Sequence, residues 1–325
     1  MTLNNLAILT SGGDSPGMNA AIRAVVRTGV FYKKRVFGVQ RGYDGLIQND
    51  FRALDARSVK GILSRGGTIL KSARSEAFRT KKGREAAAYN LNKNNINALI
   101  VIGGDGTFTG AHLLHKEFGF PIIGIPGTID NDLYGTDNTI GYDTANNTVV
   151  KCIDKIRDTA NSHNRLVLGE VMGRDSGFIA LSAGVATGAL DVVLPETATN
   201  FDRMFDAVQR GVKNKKTSNI IVVAEGNKLG TPFEISQKLI NKYPHLDIKV
   251  TVLGHVQRGG SPSTLDRVNA SVMGVAAVEN LINGKSDVMV GIVNNKVKCT
   301  SLERSINNNA SINFELERIS KILST

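Results

Sequence analysis

Short aliphatic runs, each followed by an amphipathic stretch and many closed by glycine, repeat along this chain. That alternation constrains the fold more than any other feature. Leu6–Thr10, Val36–Gln40, Ala98–Ile102, Pro121–Ile125, Leu166–Val171, Ile220–Ala224, Lys249–Leu253 and Val288–Val293 are expected strands. The central runs are continuously apolar, as strands buried on both faces must be, and parallel sheets flanked by helices supply such burial. Between the first two runs, Met18, Ala21, Ile22, Val25 and Val26 recur at helical spacing. Further helices are expected near 107–118, 143–159, 202–213, 232–242 and 264–283. The βαβ alternation predicts an α/β fold of two doubly wound domains with mainly parallel sheets. A length of 325 residues fits about two domains. No linker or low-complexity segment marks the join, and the C-terminal stretch reads as a surface helix with loops.

Composition narrows the class. The 34 glycines against only 7 prolines argue for many tight strand-to-helix turns rather than disorder. The 2 cysteines, Cys152 and Cys299, exclude a disulfide framework, and no Cys/His cluster suggests structural zinc. Both read as ordinary apolar fillers. No apolar run approaches the roughly 18 residues of a membrane helix, and no signal peptide is seen. A soluble, cytoplasmic protein with no membrane partner is the expectation. The net charge of +11 favours anionic partners. The charges are scattered rather than gathered in an arm, which speaks against nucleic acid.

Four glycine clusters carry the next inference: Thr10-Ser-Gly-Gly-Asp-Ser-Pro-Gly17, Arg65-Gly-Gly-Thr68, Gly103-Gly-Asp-Gly-Thr107 and Gln257-Arg-Gly-Gly-Ser-Pro262. The first and third sit between an expected strand and an expected helix. Glycine there lets backbone N–H groups approach a phosphate, and the helix N-terminus adds a favourable dipole. One such cluster alone is as readily a tight turn; four together favour phosphate binding. Neither a Walker A loop nor GxGxxG occurs.

Carboxylates and arginines supply the complementary chemistry. Pro126-Gly-Thr-Ile-Asp-Asn-Asp132 follows a strand, and Asp105 stands at another strand end. Two aspartates spaced two apart can divide the roles of general base and magnesium contact. Arg74, Arg165, Arg174 and Arg258 lie near predicted strand ends or glycine clusters, where guanidinium can bind phosphate bidentately. Glycine loops with clustered carboxylates describe a metal–nucleotide site.

Taken in order, LTSGGDSPGMNAAIR, RGGT…SAR, VIGGDGT, PGTIDND, EVMGR, VAEG and VLGHVQRGGSP…DR resemble the bacterial ATP-dependent 6-phosphofructokinases across residues 6–267. The resemblance implies transfer of the ATP γ-phosphoryl group to the 1-hydroxyl of fructose 6-phosphate, with Mg2+, in a homotetramer. It implies a larger ATP-binding domain of residues 1–140 plus about 256–306 and a smaller sugar-phosphate domain of 141–255 plus about 307–325. It makes Asp130 the base, flanked by Thr128 and Asp132, and has Asp105 contact the metal. Gly13, Ala73, Arg74, Gly104, Gly106 and Thr107 would cradle ATP. Arg74 and Arg174 would stabilise the charge on the transferring group. Met172, Gly173 and Glu225 would hold the sugar, and His255 and Arg258 its 6-phosphate. Arg165 would reach that phosphate from a neighbouring subunit.

Pyrophosphate-using relatives usually carry Asp at the fourth position of GGDG and Lys at the second of PGTIDND. Gly106 and Gly127 stand there in this chain, which favours ATP as donor. The remaining alternatives are the pyrophosphate-dependent enzyme and a catalytically silent effector-binding subunit of the same fold. Two departures matter. Lys249 replaces the arginine usually donated across the subunit interface, so weaker substrate binding or altered cooperativity is expected, with the chemistry retained. Arg23, Arg27, Arg157 and Lys216 match effector-binding positions, but Leu190 stands where an acidic residue would take the effector's magnesium and Ala56 where arginine is expected. Weak or absent ADP activation follows. His112 and His115, three apart, have no third ligand and read as a surface face; His163 and His245 have no assigned chemistry.

Overall fold

The computed structural model describes residues 3–197, 200–214 and 219–324. Eleven strands occur among them: β1 (Asn5–Thr10), β2 (Arg35–Val39), β3 (Phe51–Leu54), β4 (Ala98–Gly103), β5 (Ile122–Pro126), β6 (Leu166–Val171), β7 (Asp191–Val193), β8 (Asn219–Ala224), β9 (Ile248–Val252), β10 (Val288–Val293) and β11 (Lys296–Ser301). The chain divides into two compact units. One comprises Met1–Ile129, Leu133–Thr144 and Arg258–Ala310; the other comprises Asp130–Asp132, Ala145–Gln257 and Ser311–Thr325.

The larger unit holds a seven-stranded sheet of order β11-β10-β5-β4-β1-β2-β3. Its five inner strands are parallel, and an antiparallel strand closes each edge. Alternate residues of the central strands enter different cores. Leu6, Ile8, Ile100 and Ile102 pack into one apolar cluster, and Ala7, Leu9, Leu99 and Val101 into another. That two-sided burial is why these runs are continuously apolar rather than alternating. Order reverses between β1 and β4, and an open α/β sheet leaves a crevice outside such a switch point.

The smaller unit holds four parallel strands in the order β7-β8-β6-β9. Leu166, Leu168, Ile221, Val223 and Ile248 pack under Met204, Ala207 and Val208 of the helix Phe201–Lys213 and Ile235 and Leu239 of the helix Pro232–Lys242. The last helix, Phe314–Leu323, is fixed by Arg203, which bonds both Glu317 and Asp191.

All eight expected strands occur within a residue or two of their anticipated limits. The helix Asp105–Phe118 begins two residues early and Tyr142–His163 runs four residues past its expected end. Elements that the reading did not anticipate have local reasons for their silence. The helix Phe178–Ala186 is apolar nearly all round, so no amphipathic period marks it. β11 pairs with β10 through a two-residue turn, Asn294-Asn295, with φ of 50° and 60°, a geometry that matches the twist of a hairpin. Among the described residues no helix is long and apolar enough to cross a membrane.

Candidate active site

In the larger unit, parallel strands bring β1 and β4 to a common carboxyl edge. The Ser11 amide donates to the Ile102 carbonyl at 3.0 Å, so the two following loops leave the sheet side by side. Thr107 then ties them together: its buried hydroxyl donates to the Ser11 carbonyl at 3.1 Å. Gly103 is what permits this. A Cβ there would lie 2.3 Å from Thr107 Oγ1 and 2.6 Å from the Ser11 carbonyl oxygen. Gly104, in extended conformation, precedes the helix Asp105–Phe118, and its own Cβ would fall 3.7 Å from Thr128 Cβ. Asp105 and Gly106 form the exposed first turn, and a Cβ at Gly106 would meet nothing within 4 Å. Gly127 differs: a side chain there would strike Ile102 at 2.8 Å. A lysine at 127 would therefore require Ile102 to shift.

The segment carrying Ala73 and Arg74 is pinned to the β1 loop. Thr10 Oγ1 donates to the Lys71 carbonyl at 2.7 Å, and the Ser72 hydroxyl donates to the Gly12 carbonyl at 2.6 Å. The Gly12 amide donates to the Ala73 carbonyl. Buried Asn19 donates to the Arg65 and Gly66 carbonyls and accepts from the Ile69 amide, fixing the second glycine cluster. That cluster also meets the fourth, since a Cβ on Gly66 would lie 2.3 Å from the Gly260 carbonyl oxygen. The first three glycine clusters, with the segment Lys71–Ala73, thus form one hydrogen-bonded assembly at the strand ends. Arg258 Nη1 donates to the Asp14 carbonyl at 3.0 Å and joins it too.

The polypeptide leaves this unit through Thr128, whose buried carbonyl accepts from Thr139 Oγ1 at 2.6 Å. Asp266 holds the return. Its buried carboxylate accepts from the Gly141 and Thr144 amides, both at 2.8 Å, and from the Thr144 hydroxyl. Burial pushes this carboxyl above its ordinary range, and those hydrogen bonds pull it back. Asp266 had no assigned role; the Ser263-Thr-Leu-Asp266 spacing, an N-cap serine followed three residues on by an acid, is the signal that could have found it.

In the smaller unit, Asp130 is buried and its carbonyl accepts from Ser176 Oγ at 2.7 Å; Asp132 is half-buried. The carboxyl ends of β6, β8 and β9 carry Met172-Gly173-Arg174, Glu225 and His255 respectively. Gly173 has φ of 150°, and a Cβ there would lie 2.3 Å from the Ser176 carbonyl oxygen, so the turn admits only glycine. Arg174, exposed and at φ of 54°, donates its amide to Glu225 Oε2 at 3.3 Å. Gln257, wholly buried, accepts from the Met172 amide and donates to the Gly254 carbonyl, joining two of these loops. Glu170 pairs with Val223, two residues before Glu225, so both carboxylates share one face of the sheet. Burial, and then the Glu225 charge, raise the Glu170 carboxyl above its ordinary range.

Arg165 and Lys249 stand elsewhere. Both lie at the amino ends of β6 and β9, where each bonds Asp247 at 2.7 Å. A strand of five or six residues spans about 17–20 Å, so neither side chain belongs to the cluster of Met172, Glu225 and His255 within one chain.

Arg23 and Arg27 lie one turn apart on the helix Met18–Phe31 of the larger unit. Arg157, in the smaller unit, donates to the Thr187 carbonyl. Lys216 lies outside the described residues. Leu190 is buried in the apolar core of the smaller unit, and its neighbour Asp191 is buried with Oδ1 bonded to Arg203 at 2.9 Å. His112 bonds Asp287 at 2.9 Å and His115 the Phe120 carbonyl at 2.7 Å, so the two rings have separate, partly buried partners. Cys299 is half-buried against the apolar cluster of the larger unit, as a filler would be, and its thiol donates to Asn280 Oδ1 at 3.5 Å.

Open parallel sheets with glycine loops crowded at the carboxyl ends define a doubly wound α/β protein, a class that binds its ligands beyond strand termini. Comparison with known proteins sharpens that class. The sequence matches the family model described as Phosphofructokinase over residues 5–281. It is 46% identical over 323 residues to the ATP-dependent 6-phosphofructokinase 2 of Bacteroides thetaiotaomicron, covering 99% of each chain. It is 49% identical over 322 residues to the ATP-dependent 6-phosphofructokinase of a Thermoanaerobacter species, covering 99% of this chain and 100% of the other. Phosphofructokinase from Saccharomyces cerevisiae superposes with a TM-score of 0.89 at 39% identity, over 94% of this chain and 45% of the longer yeast chain. The chain belongs to the phosphofructokinase family.

Proposed function

We propose that this chain is an enzyme that transfers the γ-phosphoryl group of ATP to the 1-hydroxyl of fructose 6-phosphate. The carrying observation is identity of 46–49% along nearly the whole length of relatives named for that activity. The open space at Gly106 supports ATP over pyrophosphate. A carboxylate there would repel a nucleotide's phosphates, whereas glycine leaves room for them.

In this reading the loops Ser11–Gly17, Ala73–Arg74 and Gly104–Thr107 seat the nucleotide through backbone N–H groups and the dipole of the helix Asp105–Phe118. Asp130 accepts the proton of the attacking hydroxyl, from a backbone held by Ser176. Arg74 and Arg174 spread the charge of the transferring group. Met172, Gly173 and Glu225 orient the sugar, and His255 and Arg258 its 6-phosphate.

The donor set fits a magnesium ion. Asp105, an exposed carboxylate in the first turn of the helix Asp105–Phe118, suits contact with an ion that arrives with nucleotide phosphates. When bound it would neutralise phosphate charge. Arg165 and Lys249, at the far edge of the smaller sheet, would serve the phosphate of a second copy. That placement supports a homotetramer with shared sugar-phosphate sites. Burial of Leu190 and commitment of Asp191 to Arg203 support weak or absent activation by ADP.

A coupled assay for fructose 1,6-bisphosphate tests the proposal. ATP should support turnover and pyrophosphate should not. Asp130→Asn should lower kcat by about 10³-fold while shifting KM only a few-fold. Turnover with pyrophosphate would overturn the donor assignment, and a fully active Asp130→Asn the base. No turnover by a folded protein that still binds nucleotide would leave the effector-binding subunit.

A further inference from the structure

Gly13 has no unusual backbone conformation to explain it, yet a methyl group there would collide with a guanidinium. Its Cβ would lie 2.6 Å from Nη1, 3.0 Å from Cζ and 3.3 Å from Nη2 of Arg258, its three nearest neighbours. The head of Arg258 occupies the space that a side chain at 13 would need, with Nη1 donating to the Asp14 carbonyl at 3.0 Å. Only one of the five guanidinium N–H donors is used there, leaving four for a second acceptor. Arg258 closes the turn Gly254–Arg258 that also carries His255.

We propose that Arg258 is a positioning residue for the loop Ser11–Gly17, so that a sugar phosphate bound to its free donors fixes the nucleotide loop through the Asp14 carbonyl. This rests on the reading of the two substrates given above. A phosphate held bidentately by the outer edge of the guanidinium restricts its rotation. A restricted guanidinium restricts the main chain to which it donates, and a nucleotide meeting an already ordered loop loses less entropy on binding. The two ligands are then coupled, and by linkage the coupling is reciprocal.

The test is a binding cycle that needs no turnover. The Kd of ADP with magnesium is measured calorimetrically with and without saturating fructose 6-phosphate, in wild type, Gly13→Ala and Arg258→Lys. Gly13→Ala keeps the arginine but displaces its head, whereas Arg258→Lys keeps the charge but loses the planar fork. Wild type should bind ADP about three- to tenfold tighter with the sugar phosphate present, within the usual range of coupling. In both variants the ratio should fall below about twofold. Hydrogen exchange at residues 11–17 should slow on adding fructose 6-phosphate alone, in wild type only. An undiminished ratio in both variants, or no coupling in wild type that binds both ligands, overturns the proposal. Wild type that binds neither ligand overturns the substrate assignment and this inference with it.

Discussion

The strand ends of the larger unit are shaped by main chain, and those of the smaller unit by side chains. Around β1 and β4, carbonyls of Ser11, Gly12, Asp14, Lys71 and Ala73 are tied by hydrogen bonds into one assembly, and glycine stands wherever backbones approach. Beyond β6, β8 and β9, the exposed heads of Arg174, Glu225 and His255 dominate. A polyphosphate offers many equivalent oxygens and suits backbone donors, whereas a sugar must be oriented hydroxyl by hydroxyl. The first surface should therefore be sensitive to an added methyl group, and the second to a changed functional group.

Gly103→Ala should have the largest effect on that contrast. The new Cβ meets Thr107 Oγ1 and the Ser11 carbonyl inside 2.7 Å, and neither is a flexible chain end. Overpacking of this kind costs about 1–3 kcal/mol. Displacing both loops by a fraction of an ångström should lower kcat/KM by roughly 10²-fold. Gly169→Ala, within β6 where an added Cβ meets nothing within 4 Å, is the control and should stay within about twofold. Equal losses in steady-state kinetics would mean that glycine matters here for reasons other than close approach.

Glu225→Gln probes the other surface. Glutamine keeps the shape and an acceptor for the Arg174 amide, but not the charge. If Glu225 binds sugar hydroxyls, KM for fructose 6-phosphate should rise about tenfold, the loss of one charge-assisted hydrogen bond. KM for ATP should not move. A change in KM for ATP alone would break the assignment of the two surfaces.

The legibility of the molecule follows the same division. β1, β4, β5, β6 and β8 announce themselves because two-sided burial demands unbroken aliphatic runs. The glycine loops are equally plain, and at Gly66, Gly103 and Gly173 close backbone approach is the reason. Hidden were the polar clamps. Asn19, Ser72 and Gln257 act on carbonyls and amides distant in sequence, and no spacing encodes such a partner. Arg258 shows the limit well: its motif suggests an anion ligand, yet its contact with Asp14 spans 244 residues of sequence. Lys249 was legible as a substitution, but its pairing with Asp247 was not.

Lys249→Arg should change less than Glu225→Gln. Lysine already supplies the charge, so arginine adds only the bidentate fork. KM for fructose 6-phosphate should fall a few-fold with kcat unchanged. An unaltered dependence on fructose 6-phosphate would remove Lys249 from the substrate site and, with it, the case that the amino edge of this sheet serves a second copy.

The smallest effect belongs to Asp247, which joins Arg165 and Lys249 at that edge. Hydrogen bonds from Lys249 and then Arg165 hold its carboxyl below the ordinary value of 3.8. A carboxyl depressed by folding adds stability above its unfolded pKa and loses it as pH falls through the folded one. The contribution is therefore present at neutral pH and is lost progressively as pH falls below about 4. Because the group is exposed, solvent and salt screen the pair and the gain is small. Urea denaturation of wild type and Asp247→Asn should show a modest gap at pH 7 that closes towards pH 3. A gap independent of pH would mean that Asp247 acts through its shape or its main chain, and that the two cations are held apart from it in solution. Those cations would then be free for a phosphate without first leaving a carboxylate, and Asp247→Asn would leave KM for fructose 6-phosphate untouched.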